Sequence, residues 1–409
     1  MRNCVLIGAS GRGLGMYAKS IAGTFAPHAR LAAVLDPNIL RAQAVVELAG
    51  LDCPTFTDFD EMVSKAKPDT AIITTVDRYH SDYVIKCLDS GIDVVCEKPM
   101  TIDGRRCNEI LEAERRNNRA IIVTFNVRFM PYVAAVKKLL MDGAVGDILS
   151  VDLEWMLDRS HGASYFRRWH SIVANSGGLL VHKATHHFDM LNWWIADEPS
   201  EVMAFGKLNV YGRDSVRREW HCGTCKDRCS CYTDLAANPT AKRMYIDCAS
   251  VDGYLPDRCI FSDEIDIYDT MSVNVKYRNG VALSYSLNAH CPYEGWKVSI
   301  NGTKGRLEAA NYYSGMRASE PADYITVFDT SGRNIEHTIP KAGGSHGGGD
   351  ERMLKMIFVG GVDDPLGQMA GSYDGALSVL IGAAANKSIA EGCNIKINDL
   401  VPLDKYRES

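Results

Sequence analysis

The sequence holds 409 residues, 46% hydrophobic and 23% charged, which exceeds one ordinary domain and suits two. That balance excludes a disordered, collagen-like or coiled-coil chain. A formal net charge of −6 gives no global pull toward nucleic acid or an anionic membrane. No stretch approaches the length of uncharged apolar residues that a membrane span needs, and the first residues lack the pattern of a signal peptide. The expectation is a cytoplasmic protein without nucleic-acid or membrane partners, its 13 cysteines mostly reduced.

In chain order, short β-branched runs alternate with amphipathic stretches up to about residue 125. Strands are predicted at residues 4–9, 31–35, 70–75, 93–96 and 120–124, with helices at 13–24, 39–48, 79–89 and 103–117. Uncharged strands separated by helices predict a parallel sheet covered on both faces, the doubly wound Rossmann arrangement. Beyond residue 145 the rhythm changes. One helix is predicted over 178–194, then strand-like runs at 265–278, 281–289, 296–301 and 324–329, then helices near 350–359 and 372–391. The turn Arg278-Asn279-Gly280-Val281 marks a hairpin, so the second sheet reads as large and mostly antiparallel or mixed. The predicted fold class is therefore α/β plus α+β. A nucleotide-binding Rossmann domain covers 1–127, and a catalytic and oligomerisation domain covers 128–409, with a cysteine-rich insertion at about 212–262.

Gly8-Ala9-Ser10-Gly11-Arg12-Gly13 joins the first strand to the first helix and is a G-x-S-x-x-G variant of the dinucleotide fingerprint. Gly8 permits the tight turn, Gly13 permits close packing of helix on strand, and Ser10 replaces the glycine that usually lets the backbone approach the pyrophosphate. Gly11 keeps the loop permissive, and the phosphates belong against the helix N-terminus. Asp36 ends the second strand, where a carboxylate grips the adenosine ribose and repels a 2′-phosphate. The expected cofactor is NAD.

Val95-Cys96-Glu97-Lys98-Pro99, with Thr74-Thr75-Val76 and His80 upstream, resembles the glucose–fructose oxidoreductase/inositol dehydrogenase (Gfo/Idh/MocA) family. The resemblance continues through Asn126-Val127-Arg128-Phe129, Gly146-Asp147-Ile148, Asn301-Gly302-Thr303-Lys304-Gly305 and Asp374-Gly375. It implies that Lys98 sits beside the nicotinamide and the reacting hydroxyl. It also implies that Thr75, His80, Glu97, Asn126, Arg128 and Arg12 belong with the cofactor loops, and that the chain forms a homo-oligomer. An ammonium at the carboxyl edge of the sheet can position a hydroxyl and stabilise alkoxide character.

The family carries an aspartate and, four residues on, a histidine on the first long helix of domain two. Here His186 falls on that histidine and His182 stands in place of the aspartate. His182, His186, Asp189 and Trp193 are spaced four, three and four apart, so one helix would carry them on one face, with His187 pointing elsewhere. In one reading His186 is the general base and His182 orients it or relays its proton. In the other, the histidine pair binds a divalent metal that polarises the substrate oxygen. Arg168, Trp169, Asp189 and His346, the last in a glycine-rich segment before a late helix, are candidate substrate contacts.

The insertion holds six of the cysteines. Cys222, Cys225 and Cys231 with Cys259 suit a structural zinc site, Cys229 or Cys248 being alternative fourth ligands. The expected activity is NAD-dependent oxidation of a secondary hydroxyl of a sugar, glycoside or cyclitol. The alternative is an NAD-dependent glycosidase working by transient oxidation, elimination and re-reduction.

Overall fold

The computed structural model describes residues 1–212 and 220–407. Residues 213–219, which fall in the predicted insertion, lie outside the described residues.

Two sheets organise the chain. The first contains β1 (Arg2–Ile7), β2 (Ala29–Leu35), β3 (Thr55–Phe56), β4 (Thr70–Ile73), β5 (Asp93–Cys96) and β6 (Ile121–Val123). Their order is β3-β2-β1-β4-β5-β6, every pairing parallel, so the chain reverses direction of travel between β1 and β4. Helices Ile39–Ala49, His80–Asp89 and Gly104–Asn117 cover the faces. The strands read as uninterrupted apolar runs because both faces are buried, as in β4 and the second half of β1. Every candidate residue of the first half lies in a loop leaving the carboxyl end of one of these strands or, like Gly13 and His80, at the start of the helix that follows it, where ligands of such sheets bind.

The second sheet contains β7 (Ile148–Asp158), β8 (Pro199–Lys207), β9 (Thr270–Tyr277), β10 (Ala282–Cys291), β11 (Gly295–Gly302), β12 (Gly305–Tyr312), β13 (Ala322–Asp329), β14 (Asn334–Pro340) and β15 (Ile395–Lys396). Their order is β14-β13-β12-β11-β7-β10-β9-β8-β15. Only β7 and β10 run parallel; the other pairs are antiparallel, so the sheet is mixed. The predicted hairpin joins β9 to β10, with Val275 opposite Leu283 and Val273 opposite Tyr285. Burial alternates along both strands, which is the mark of a sheet with one face on a core. That face carries helices Thr185–Ile195 and Ser372–Glu391.

The predicted single helix over 178–194 is two. Leu179–His182 and Thr185–Ile195 flank a turn at Lys183 and Ala184. The Ala184 N–H reaches back five residues to the Leu179 carbonyl, and the His187 N–H only three to Ala184, so the regular ladder is lost there. Apolar residues continue through the break, and the 3.6 period alone does not reveal it. The long helix Ser372–Glu391 braces the broken pair. A Cβ on Gly382 would stand 2.3 Å from the Leu180 carbonyl oxygen, so only glycine permits this approach. Thr185 and Ser378 hydroxyls meet at 2.8 Å, and Asn386 donates to the Gly177 carbonyl at 2.6 Å.

Candidate active site

The loop after β1 has the geometry a dinucleotide loop needs. Gly8 has φ +98°, and a Cβ there would lie 2.6 Å from the Thr75 backbone nitrogen. The Ser10 hydroxyl accepts the Gly13 N–H at 3.0 Å, so the serine that replaces the usual glycine closes the first helical turn. Asp36 is buried at the end of β2, and its two oxygens accept the N–H groups of Ala9 and Asn38, both at 2.8 Å. Burial raises the Asp36 carboxyl, and those two donors with Arg41 oppose the rise. Each oxygen keeps lone pairs for ribose hydroxyls. The acceptor oxygens of Asp36 and the close backbone approach at Gly8 fit NAD.

Lys98 follows β5 in a loop with a cis Lys98–Pro99 bond. Its ammonium lies 3.4 Å from the His182 carbonyl oxygen. Burial lowers the Lys98 pKa, while Tyr165, Glu97 and Asp77 pull it back up. Glu97 accepts Arg12 Nε at 2.7 Å and the Tyr17 hydroxyl at 2.8 Å. Burial would push the Glu97 carboxyl up, but the Arg12 guanidinium and the Lys98 ammonium outweigh it and hold it low.

The residue that sequence reasoning missed is Asp77, in the short 3₁₀ turn Asp77–Tyr79 after β4. His182 Nδ1 and Asp77 Oδ2 are 2.5 Å apart, both side chains buried. The carboxylate expected on the helix of the second half is thus supplied to His182 from the first half. Only the departure at position 182 pointed to a missing acid, and nothing in the spacing located it. His182 lies in an aromatic cage, 4.2 Å from His170 and 5.6 Å from both Trp169 and Tyr165 between ring centroids. Trp169 stacks on His170 at 3.6 Å, which brings this candidate substrate contact beside the site.

His186 stands 6.2 Å from His346 and 6.4 Å from Phe125, and its buried Nδ1 has no hydrogen-bond partner among the described residues. The buried Asn126 Oδ1 and His170 Nδ1 are likewise unpartnered. Asn126 Nδ2 reaches Asp350 at 2.5 Å and His346 Nδ1 at 3.0 Å, and Asp350 also pairs with Arg12 at 3.2 Å. His346, with φ +48°, therefore folds over the same site. Burial tends to raise the Asp350 carboxyl, but His346, Arg12 and Asn126 hold it at about 2.

Several sequence-predicted roles change. The Arg128 guanidinium meets Asp189 in a bidentate pair of 2.8 and 2.5 Å, so the expected cofactor residue and the expected substrate residue satisfy each other in the core. His80 presents Nδ1 to the Pro99 carbonyl at 2.8 Å and Nε2 to Thr75 at 3.2 Å, fixing the loops after β4 and β5 rather than offering a ring nitrogen to cofactor. Thr75 instead contributes backbone beside Gly8. The Arg12 side chain is a tie between Glu97 and Asp350. Arg168 donates to Ser164 at 2.9 and 3.2 Å and lies 5.6 Å from the Tyr165 ring, and its charge adds to burial in lowering His170 and His182.

The expected zinc site is not assembled. Among the described residues no three His, Cys, Asp or Glu side chains stand together as metal ligands, in the insertion or around His182 and His186. The insertion is closed by Asp257, which accepts from His221 Nδ1 at 2.6 Å and the Gly223 N–H at 2.9 Å. Cys231 Sγ faces Arg159 at 3.0 Å, Cys225 Sγ donates to the Asp227 carbonyl, and Cys248 is buried against the first half. Cys222 and Cys259 contribute backbone N–H groups to the closure, at 2.9 Å to Asp257 and Trp220 carbonyls. No disulfide joins any of the 13 cysteines, and no helix among the described residues is long and apolar enough to cross a membrane.

His170, His182, His186 and His187 are all held well below the ordinary imidazole range, first by burial and then by neighbouring cations or, at His182, by His170. An unfolded chain protonates these rings near pH 6.5 and the folded one does not, so the unfolded state binds more protons below that pH. Stability is therefore full above about 6.5 and falls on acidification, by about 1.4 kcal/mol per pH unit for each ring. The melting temperature should drop steeply between pH 7 and pH 5; a flat profile would contradict the burial argument.

A nucleotide loop, a lysine at the carboxyl edge and histidines from a second sheet domain define an oxidoreductase, and the chain belongs to the Gfo/Idh/MocA oxidoreductase family. The family's NAD-binding Rossmann fold matches residues 2–125, and its C-terminal alpha/beta domain matches 137–397. YteT of Bacillus subtilis (strain 168), named as an oxidoreductase, is 38% identical over 432 aligned positions, covering 98% of this chain and 99% of its own. Inositol 2-dehydrogenase of Rhizobium meliloti is 30% identical over 189 residues, 46% of this chain and 54% of the relative, about half its length. The fold matches levoglucosan dehydrogenase in complex with NADH and levoglucosan, with TM-score 0.70 at 20% identity, over 97% of this chain and 99% of that one.

Proposed function

We propose that this enzyme uses NAD to oxidise a secondary hydroxyl of a sugar, glycoside or cyclitol, in a domain division falling near residue 127. The observation that carries the reading is the approach of the Lys98 ammonium to the backbone carbonyl of His182, whose ring pairs with Asp77, at the carboxyl edge of the first sheet. The names of the relatives, inositol and levoglucosan dehydrogenases, support the substrate class. Bound NAD supplies the hydride acceptor. Gly8, Ser10, Gly11, Gly13 and Asp36 would hold its adenosine and phosphates, and Asn126 has a free amide oxygen near the reacting end.

Lys98 holds the substrate oxygen and favours its alkoxide. His186, kept neutral by burial and by the nearby lysines, accepts the hydroxyl proton. His182, its ring fixed by Asp77, orients the substrate. Trp169 offers an aromatic face to sugar C–H groups. A panel of polyols, free sugars and glycosides incubated with NAD, with NADH and product followed together, tests this. Stoichiometric NADH and ketone support it. Aglycone release without net NADH would point instead to redox-neutral glycoside cleavage, and no turnover on any member would overturn the substrate class.

A further inference from the structure

The insertion reaches the adenosine end of the cofactor site. Pro239–Ala241, Lys242–Ile246 and Ala249–Asp252 form a short helical strap across the helix Ile39–Ala49 that follows β2. Met244 and Cys248, 1% and 0% exposed, join the apolar cluster of Ala9, Leu14, Ala42 and Val45. Asn38 Nδ2 donates to the Cys248 carbonyl at 2.9 Å, and Arg243 pairs with Glu47 at 2.7 Å. The strap is thus docked on the first half by apolar burial, a hydrogen bond and an ion pair. The Tyr245 hydroxyl comes within 3.6 Å of where a Cβ on Gly11 would stand, directly over the glycine-rich loop.

The strap also captures Arg41. Its guanidinium pairs with Asp252 at 2.8 and 3.1 Å, donates to the Met244 carbonyl at 3.3 Å and lies 5.9 and 5.8 Å from the rings of Tyr245 and Tyr254. The same guanidinium is 3.9 Å from Asp36. An acid at the end of β2 grips a ribose 2′-hydroxyl, and an arginine beside it receives a 2′-phosphate. This chain carries both, so the choice between the two dinucleotides rests on whether Arg41 is available. Asp252 takes its fork in a bidentate pair, the geometry in which a carboxylate substitutes for a phosphate. It also turns a neutral Asp36–Arg41 pair into a cluster with one net negative charge.

We propose that Asp252, from the insertion, is a specificity-determining residue that excludes the 2′-phosphorylated dinucleotide by occupying Arg41. The inference rests on the NAD reading and deepens it. It predicts that removing the Asp252 carboxylate frees Arg41 for a phosphate, while Asp36 continues to hold the ribose of NAD.

The test is direct binding. NADH and NADPH are titrated into nucleotide-free protein by dihydronicotinamide fluorescence, for the wild type, Asp252→Asn, Arg41→Ala and the double variant, with thermal melts alongside. Asp252→Asn should raise affinity for NADPH relative to NADH by roughly tenfold or more, the scale of one charge-assisted hydrogen bond. In the Arg41→Ala background the same change should give no such gain. Asp252→Ser provides a second carboxylate-free side chain should the first variant melt abnormally. An unchanged ratio in the two carboxylate-free variants, or an equal gain without Arg41, overturns the proposal while leaving the NAD assignment intact. Wild-type protein that binds neither nucleotide, or prefers NADPH, overturns both.

Discussion

Replacing Lys98 by methionine should lower kcat by about 10²–10³-fold, the usual cost of removing a preorganised charge from developing negative oxygen. Dinucleotide affinity should fall far less. Methionine keeps the reach of the side chain and removes the ammonium. The effect has a second component, because Lys98 sits among buried acids. It helps hold Glu97 ionised and opposes the rise that burial imposes on Asp77. Without it the Asp77 carboxyl, already raised well above the ordinary range by burial, rises further, which changes the acid that faces His182 Nδ1. Lys98→Arg should rescue poorly, since a planar fork does not replace a compact ammonium in a half-buried slot. Steady-state kinetics with nucleotide titrations would check this. A Lys98→Met enzyme within tenfold of wild type would remove Lys98 from the chemistry.

Among single substitutions, the largest stability effect is expected at Arg128. Its side chain is 3% exposed and that of Asp189 is 1% exposed, and they share a bidentate pair, with Asp374 joining at 3.1 Å. Burial raises the Asp189 carboxyl to about 7 even against the pull of Arg128, so Arg128→Met would leave it buried, unpaired and driven to take up a proton, which costs about 3–5 kcal/mol. Replacing both partners, as Arg128→Met with Asp189→Leu, should recover much of that loss. Chemical denaturation of the two singles and the double measures it, and additive losses would show that the pair is not coupled. Activity should follow stability here, because Asp189 lies one turn beyond His186 and fixes its helix against the loop Asn126–Phe129.

Much of this architecture could be read from residue patterns. The alternation of apolar runs and helices gave the first sheet nearly strand for strand, because strands buried on both faces write themselves as unbroken β-branched runs. The two-residue β3 was invisible, being too short to carry a period. In the second sheet β8, β12, β14 and β15 were missed, and β7 was touched only by the resemblance at Gly146-Asp147-Ile148: β8 opens on Pro199, β14 is an exposed edge strand, and β15 is two residues long. At the site, Lys98 and His186 were legible because a strand end and a helix phase place them. Asp77 was not, since its partner lies 105 residues away and its own turn carries no motif. Arg128 and Asp189 were read as ligand contacts for a related reason. A sequence shows that polar groups must be satisfied in a core but not which group satisfies which. The cysteine spacing suggested ligands, but among the described residues no three possible ligands stand together, and Cys248, an alternative fourth ligand, is buried against the first half.

The helix Ser372–Glu391 carries a consequence for how the enzyme comes into being. It touches the first half through Gly375 against Met100 and holds the Leu179–His182 turn through Gly382. A ribosome delivers Lys98, Asp77 and both histidines long before it delivers this brace. The nascent chain therefore has its reactive side chains early and their alignment late. Until residues 372–391 emerge and dock, the growing polypeptide is a nucleotide-loop domain joined to an unfinished sheet, and catalytic competence waits on this helix rather than arriving domain by domain.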